Sequence, residues 1–72
     1  MKINYKNCEI NAYREEGLDG QERIYVSAVD NETDYIIMDE FYWGYMTVWK
    51  VLNEGKLVVD SYRGNEEEWV DE

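Results

Sequence analysis

A chain of 72 residues suits one small domain, and this one must be stabilised by packing alone. Its single cysteine, Cys8, excludes an intramolecular disulfide, and the lack of histidine excludes a Cys/His zinc cluster. Seventeen acidic residues against seven basic ones give a net charge of −10, which disfavours nucleic acid and anionic membranes as partners and favours basic surfaces.

The first two predicted elements are strands joined by a tight turn. Residues 2–5 and 8–14 alternate between polar and apolar side chains, which is the period of a half-buried strand. The Lys6-Asn7 pair between them suits a two-residue turn, because asparagine tolerates positive φ. A loop that contains two glycines follows over residues 15–21.

A second pair of strands is predicted over residues 23–39. Residues 23–29 are rich in side chains that favour β-structure, and residues 35–39 return as the partner strand. The acidic segment 30–34 between them supplies the turn. Four sequential strands with short connections predict an antiparallel meander.

Residues 47–63 fit either a helix or a β-hairpin. On a helical wheel their apolar positions fall within an arc of about 120°, a normal amphipathic stripe. Thr47 would cap the start of this helix, and Gly64 would end it. The hairpin, over residues 47–62 with a turn at 53–55, is supported by the valine content but needs an alternation that the sequence lacks. The helix is favoured because it would cover one face of the meander.

We therefore predict a single α+β domain over residues 1–64, followed by an acidic C-terminal tail over residues 65–72. The domain is a four-stranded antiparallel meander with one C-terminal helix packed on one face. The alternative is an all-β fold in which residues 47–62 form a hairpin. A free thiol, no visible secretory signal and no apolar stretch long enough to span a membrane predict a cytoplasmic protein.

No catalytic, metal or cofactor site is predicted. Histidine is the commonest general base near neutral pH and the chain lacks it, while Cys8 lies in the alternating pattern of a buried structural thiol. Asp30, Glu32 and Asp34 have the spacing of the first calcium-loop ligands, but Tyr35 stands where that loop requires glycine. We therefore expect a protein that is not an enzyme and that acts by binding.

The acidic residues are concentrated in two segments of the chain. Nine lie within residues 15–40 against the single base Arg23, and five more lie in the tail without a base. A surface that needs only solubility more often intersperses the two signs. The charged partner contacts that we predict are Glu15, Glu16, Asp19, Glu22, Asp30, Glu32, Asp34, Asp39 and Glu40.

The predicted meander would divide these acids between two ends of the sheet. Residues 15–22 would lie at one end together with Asp39 and Glu40. The turn at residues 30–34 and the tail would lie at the other end, about 20 Å away along the strands.

Aromatic residues are concentrated in residues 41–49, between the predicted sheet and helix. Consecutive side chains point in different directions, so we expect some of these rings in the core and others at the surface. Exposed rings beside charge are typical of protein-binding hot spots. Tyr42 and Trp43, which follow Asp39 and Glu40 closely, are the predicted anchors.

This short, disulfide-free and acidic chain resembles the small inhibitors encoded by phages and mobile elements, the antirestriction and anti-CRISPR DNA mimics. The likeness is greatest over residues 23–40, where a strand, the acidic turn 30–34 and a second strand lead into a helix. Some anti-CRISPR inhibitors of RNA-guided nucleases have a similar order of elements. The resemblance implies an inhibitor that occludes a basic, nucleic-acid-binding surface of a phage-defence or other DNA- or RNA-handling complex, with a CRISPR effector as one such partner.

The sequence also allows a function of another class. The chain would then be a non-catalytic structural or accessory domain that uses its aromatic patch for contacts with a subunit or within a homodimer. Its acidity would serve solubility, because added carboxylates solubilise proteins well. Binding would depend steeply on salt for the inhibitor and little on salt for the accessory domain.

Overall fold

The computed structural model describes residues 1–70 of the chain, and the side chains of residues 1–64. Four strands and one helix follow in chain order: β1 (Lys2–Tyr5), β2 (Cys8–Glu16), β3 (Glu22–Asp30), β4 (Ile36–Trp43) and α1 (Val48–Val70). Each strand pairs antiparallel with the next, in the order β1-β2-β3-β4. The predicted α+β meander with a C-terminal helix is confirmed. The alternative hairpin over residues 47–62 is wrong, because residues Val48–Val70 form a helix.

The turn between β1 and β2 has the predicted tight form. Lys6 and Asn7 have φ values of 50° and 60°, and the ladder closes with Tyr5 opposite Cys8. Two central residues with positive φ are the mark of a type I′ turn, whose twist matches that of the flanking strands. The local sequence therefore sets the register of the first hairpin.

α1 packs against β2, β3 and β4 and covers one face of the sheet. Alternate residues of each strand point to this face, because successive side chains of a strand point to opposite sides. The buried apolar residues between sheet and helix are Cys8, Ile10, Ala12, Ile24, Val26, Ala28, Met38, Val51, Leu52 and Val59. Gly55 lies where α1 crosses β2, and a Cβ there would stand 2.9 Å from Cγ2 of Ile10. Glycine at this position therefore lets the helix approach the sheet closely.

Side-chain hydrogen bonds hold the start of α1 in place. The Thr47 hydroxyl accepts a hydrogen bond of 3.1 Å from the Lys50 backbone N–H, which is the geometry of a helix cap. The Arg14 guanidinium donates to the carbonyls of Gly44 at 2.6 Å and Met46 at 3.0 Å. The predicted cap at Thr47 is confirmed, and Arg14 fixes the connection between β4 and α1.

The end of β4 differs from the prediction. The strand reaches Trp43 instead of ending at residue 39, because residues 41–43 are aromatic β-formers and pair with residues 23–25 of β3. Asp39 and Glu40 consequently lie in the middle of a strand. They do not lie at the end of the sheet where we expected them.

The end of the helix also differs from the prediction. Gly64 lacks the positive φ of a helix-ending glycine, and α1 continues to Val70. Residues 65–70 of the predicted tail therefore extend the helix. Residues 71 and 72 lie outside the part of the chain that the structure describes.

Candidate functional site on the uncovered face of the sheet

The face of the sheet opposite α1 carries a row of aromatic rings across three strands. Tyr13 of β2 pairs with Tyr25 of β3, which pairs with Phe41 of β4. The ring centroids are 5.3 Å apart in both pairs, with interplanar angles of 46° and 59°. Such tilted pairs stabilise by about 0.5–1.5 kcal/mol each beyond burial. Tyr13 and Phe41 remain 41% and 54% exposed, so this ring row is also a surface.

Trp43 extends the ring row towards the loop between β2 and β3. It pairs with Arg23, which pairs with Glu15, and its indole is 64% exposed. An open depression of about 390 Å³ is lined by Phe41, Trp43, Arg23 and Asp19, among others. A protruding side chain of a partner could insert between these two rings.

Hydrogen bonds orient two carboxylates at this face. Asp39 raises the pKa of the Tyr25 phenol above its ordinary value, first through a hydrogen bond, then with burial and the carboxylate charge. The Gln21 backbone N–H donates to Asp19 at 3.1 Å, and Arg23 also donates to it at 3.1 Å. These contacts lower the pKa of Asp19, with the backbone hydrogen bond as the largest cause. These contacts therefore hold Asp19 in place and favour its charged form.

Most bases of the domain are used in ion pairs within the chain. The pairs are Lys2–Glu9 at 3.6 Å, Lys6–Asp60 at 2.6 Å, Arg14–Glu22 at 3.3 Å, Arg23–Asp19 at 3.1 Å and Arg63–Asp30 at 3.3 Å. Within residues 1–64, the carboxylates that lack an ion pair are Glu15, Glu16, Glu32, Asp34, Asp39, Glu40 and Glu54. The charge that faces solvent is therefore predominantly negative.

The structure places the predicted acidic contacts in three regions. Those around the end of β2 and the loop into β3 are Glu15, Glu16, Asp19 and Glu22. Those in the turn between β3 and β4, at the opposite end of the sheet, are Glu32 and Asp34. Those in the middle of β4 are Asp39, which pairs with Ser27 on the uncovered face, and Glu40, which pairs with Val26 on the face of α1.

Asp30 is not a surface contact, although the sequence suggested one. Its side chain is 1% exposed and accepts hydrogen bonds from Tyr62 at 2.7 Å and Arg63 at 3.3 Å. The Tyr62 hydroxyl and the Glu32 backbone N–H, followed by Arg63, lower the pKa of Asp30. Asp30 continues the buried alternation of β3, and it joins that strand to the later part of α1.

The two predicted aromatic anchors lie on opposite faces. Tyr42 is half-buried and packs against the core, because it follows the alternation that points to α1. Its pKa is raised by burial and then by Glu40 and Glu54. Trp43 lies on the uncovered face and is exposed. Tyr42 is therefore a packing residue, and only Trp43 has the placement of an anchor.

Sequence reasoning missed the ring row itself. Tyr13 and Tyr25 were treated as ordinary strand residues, although both lie opposite the apolar positions of their strands. The hairpin register brings them together, and the longer β4 adds Phe41. The signal that could have found the row is the strand alternation combined with the register of the β2–β3 pair.

The described part of the chain contains neither a metal-binding cluster nor a membrane-spanning helix. Residues 1–64 hold no group of three or more acidic or cysteine side chains placed to bind a metal ion. Over residues 1–70, no helix has the length and apolar character needed to cross a membrane. The chain matches no protein-family model, no curated protein and no solved structure. The geometry of the uncovered face is therefore the main guide to function.

Proposed function

We propose that this chain is a non-catalytic binding domain that occludes a basic protein surface. The observation that carries the proposal is the ring row, which lies beside unpaired carboxylates on the one face of the sheet that the helix leaves open. Contiguous exposed apolar patches mark interaction sites, so these rings indicate a surface that a partner covers.

The two kinds of side chain on this face have complementary roles in binding. Carboxylates such as Glu15 and Asp39 attract a basic surface over a distance and accept the hydrogen bonds that phosphate oxygens accept. The rings of Phe41 and Trp43 offer flat faces on which an arginine guanidinium stacks. Charge therefore speeds association, and the rings retain the partner once it is bound.

The surface that we propose as the target is one that otherwise binds nucleic acid. Such surfaces bind phosphates through arginine and lysine side chains, and carboxylates accept the same hydrogen bonds from these side chains. The resemblance to DNA-mimic inhibitors in size, acidity and order of elements supports a phage-defence or other DNA- or RNA-handling complex in the cytoplasm as the partner. The chain would act as a competitor, without a cofactor and without touching nucleic acid.

A second candidate function is an accessory domain that binds through aromatic contacts. It is favoured by Tyr45 and Trp49, which are exposed on the connection to α1 and at its start. A subunit could dock on them with little help from charge. In that case the Trp49→Ala variant would lose the partner, and salt would have little effect on binding.

Affinity capture from a cytoplasmic extract, with competition by nucleic acid, tests the first proposal. The test variant is Tyr13→Ser with Glu15→Gln on β2. The matched control, Leu57→Ser with Glu54→Gln on α1, also removes one exposed apolar side chain and one unpaired carboxylate. We expect the wild type and the control to capture the same proteins at low salt.

Two further results are required. Duplex DNA or RNA should release the captured proteins, and the β2 variant should capture much less of them. If nucleic acid releases nothing, the target is not a nucleic-acid-binding surface. If the β2 variant and the control behave alike, the uncovered face is not the binding site.

A further inference from the structure

β4 is an edge strand with one side of its backbone open. It is the last strand in the order β1-β2-β3-β4, and it runs for eight residues without proline. No other strand of the described chain pairs with the side that faces away from β3. An unpaired edge of this length is a template for another strand, and natural proteins usually protect such edges.

The charges on β4 decide which strand it can accept. Asp39 and Glu40 lie in the middle of the strand, are exposed and have no ion pair within residues 1–64. Opposite charges stabilise directly facing residues of neighbouring strands, and like charges destabilise them. An incoming strand with basic residues at its centre would complement both faces, since the two carboxylates point to opposite sides of the sheet.

The same charges oppose pairing of β4 with a second copy of itself. If β4 paired antiparallel with β4 of a second copy, the two sheets would join into one. Directly opposite residues would then have to point to the same face of the joined sheet. The registers that pair most of the strand then put Asp39 opposite Asp39, or Glu40 opposite Glu40, of the second copy. Self-pairing through this edge is therefore disfavoured.

The opposite edge of the sheet cannot substitute for a basic partner. β1 has four residues, half the length of β4, and it continues at Met1 through hydrogen bonds with Ala12. The neighbouring bases are already neutralised, because Lys2 pairs with Glu9 and Lys6 pairs with an acid of α1. A β1 strand from a second copy would thus offer little free positive charge to β4.

We propose that β4 takes an extended segment of the partner, with adjacent basic residues at its centre, as a fifth strand of the sheet. On the uncovered face, its side chains would meet Asp39, Phe41 and Trp43. On the other face they would meet Glu40, close to Tyr42. This inference rests on the proposed function and adds the conformation and chemistry of the bound segment.

A synthetic peptide as long as β4, with the sequence TVTRRTVT, tests this mode of binding. Two further peptides have the same charge but carry backbone N-methyl groups on alternate residues, each blocking one edge of the peptide strand. We expect the unmodified peptide and one N-methylated peptide to bind at low salt, and the other to fail. Hydrogen exchange of alternate β4 amides should slow by about tenfold when the unmodified peptide is bound.

Two variants of the protein distinguish the effect of the β4 carboxylates on peptide affinity from the effect of carboxylates elsewhere. Asp39→Asn with Glu40→Gln should weaken peptide binding by about tenfold, because two facing charge pairs are lost. Glu32→Gln with Asp34→Asn removes the same number of carboxylates from the turn and should leave the affinity within about twofold. Equal losses in the two variants would overturn the assignment to β4.

The outcomes distinguish this inference from the proposed function. Equal binding by all three peptides, without protection of β4 amides, overturns strand addition and leaves docking by the uncovered face intact. Failure of all three peptides also overturns strand addition, while the extract experiment with the β2 variant still decides the proposed function. If two wild-type copies associate and protect their β4 amides from exchange, the argument that Asp39 and Glu40 prevent self-pairing is wrong.

Discussion

Replacing Gly55 by alanine tests how closely α1 packs on the sheet. Gly55 is buried, and a Cβ added there would lie 2.9 Å from Cγ2 of Ile10. Ile10 is fully buried and β-branched, so this methyl group cannot turn away without changing χ1 in a packed core. Gly64 provides the matched control in the same helix, because a Cβ there would meet nothing within 4 Å.

Gly64→Ala should raise the free energy of unfolding, whereas Gly55→Ala should lower it or leave it nearly unchanged. Alanine in place of glycine within a helix stabilises by about 0.8–1 kcal/mol, so Gly64→Ala should raise the free energy of unfolding by that amount. Gly55→Ala gains the same helix propensity but overpacks the core, which costs about 1–3 kcal/mol. Its free energy of unfolding should therefore fall by about 0–2 kcal/mol.

Urea unfolding followed by circular dichroism measures both variants against the wild type. The midpoint for Gly64→Ala should rise, and that for Gly55→Ala should stay level or fall at an unchanged slope. If Gly55→Ala is stabilised as much as Gly64→Ala, there is room for a methyl group between helix and sheet. The close approach of α1 to β2 would then be wrong.

Three further predictions concern single contacts. The pKa of Asp30 in the folded protein lies below its value in the unfolded chain. The Asp30 carboxylate therefore stabilises the fold above about pH 4, and this stabilisation is lost as the pH falls through the folded pKa. The urea midpoints of the wild type and Asp30→Asn should differ at neutral pH and converge in acid. Thr47→Ala removes the acceptor for the Lys50 N–H and should lower the free energy of unfolding by about 1 kcal/mol in the same assay; no change would mean that the cap is not formed in solution. Asp39→Asn with Glu40→Gln should increase self-association in sedimentation velocity, and a variant that associates no more than the wild type would contradict a protective role for these carboxylates.

Local patterns in the sequence were sufficient for the elements and their order. The Lys6-Asn7 turn, the alternation of β2 and β3 and the apolar stripe of α1 each have a short-range physical cause, and all three are present in the structure. The prediction ended β4 at Asp39, four residues before its end at Trp43. An edge strand with an uncovered face tolerates charge in its middle, and only the pairing with β3 shows this.

Local sequence patterns could not predict the candidate site, because the site depends on contacts between residues that are distant in the chain. Asp30 was expected at the surface because it begins an acidic turn, but Tyr62 and Arg63, more than thirty residues away, bury and pair it. Which face of the sheet stays open depends on the side on which α1 packs. Strand alternation alone gives two faces, and the helix then decides which set of side chains is left for a partner.

The distribution of ion pairs predicts that salt affects the free protein and its complex in opposite directions. Five of the seven bases pair with carboxylates of residues 1–64, and the other carboxylates of that range repel one another at the surface. Salt screens this repulsion, so raising it from about 0.02 M to 0.5 M should raise the melting temperature of the free protein. The same screening should weaken binding to a basic partner, because attraction between the two surfaces is lost. Melting curves and titrations over one salt series measure both effects. If the melting temperature falls with salt, the internal ion pairs outweigh the repulsion between surface carboxylates. The free protein would then lack the excess negative surface charge that the proposal requires.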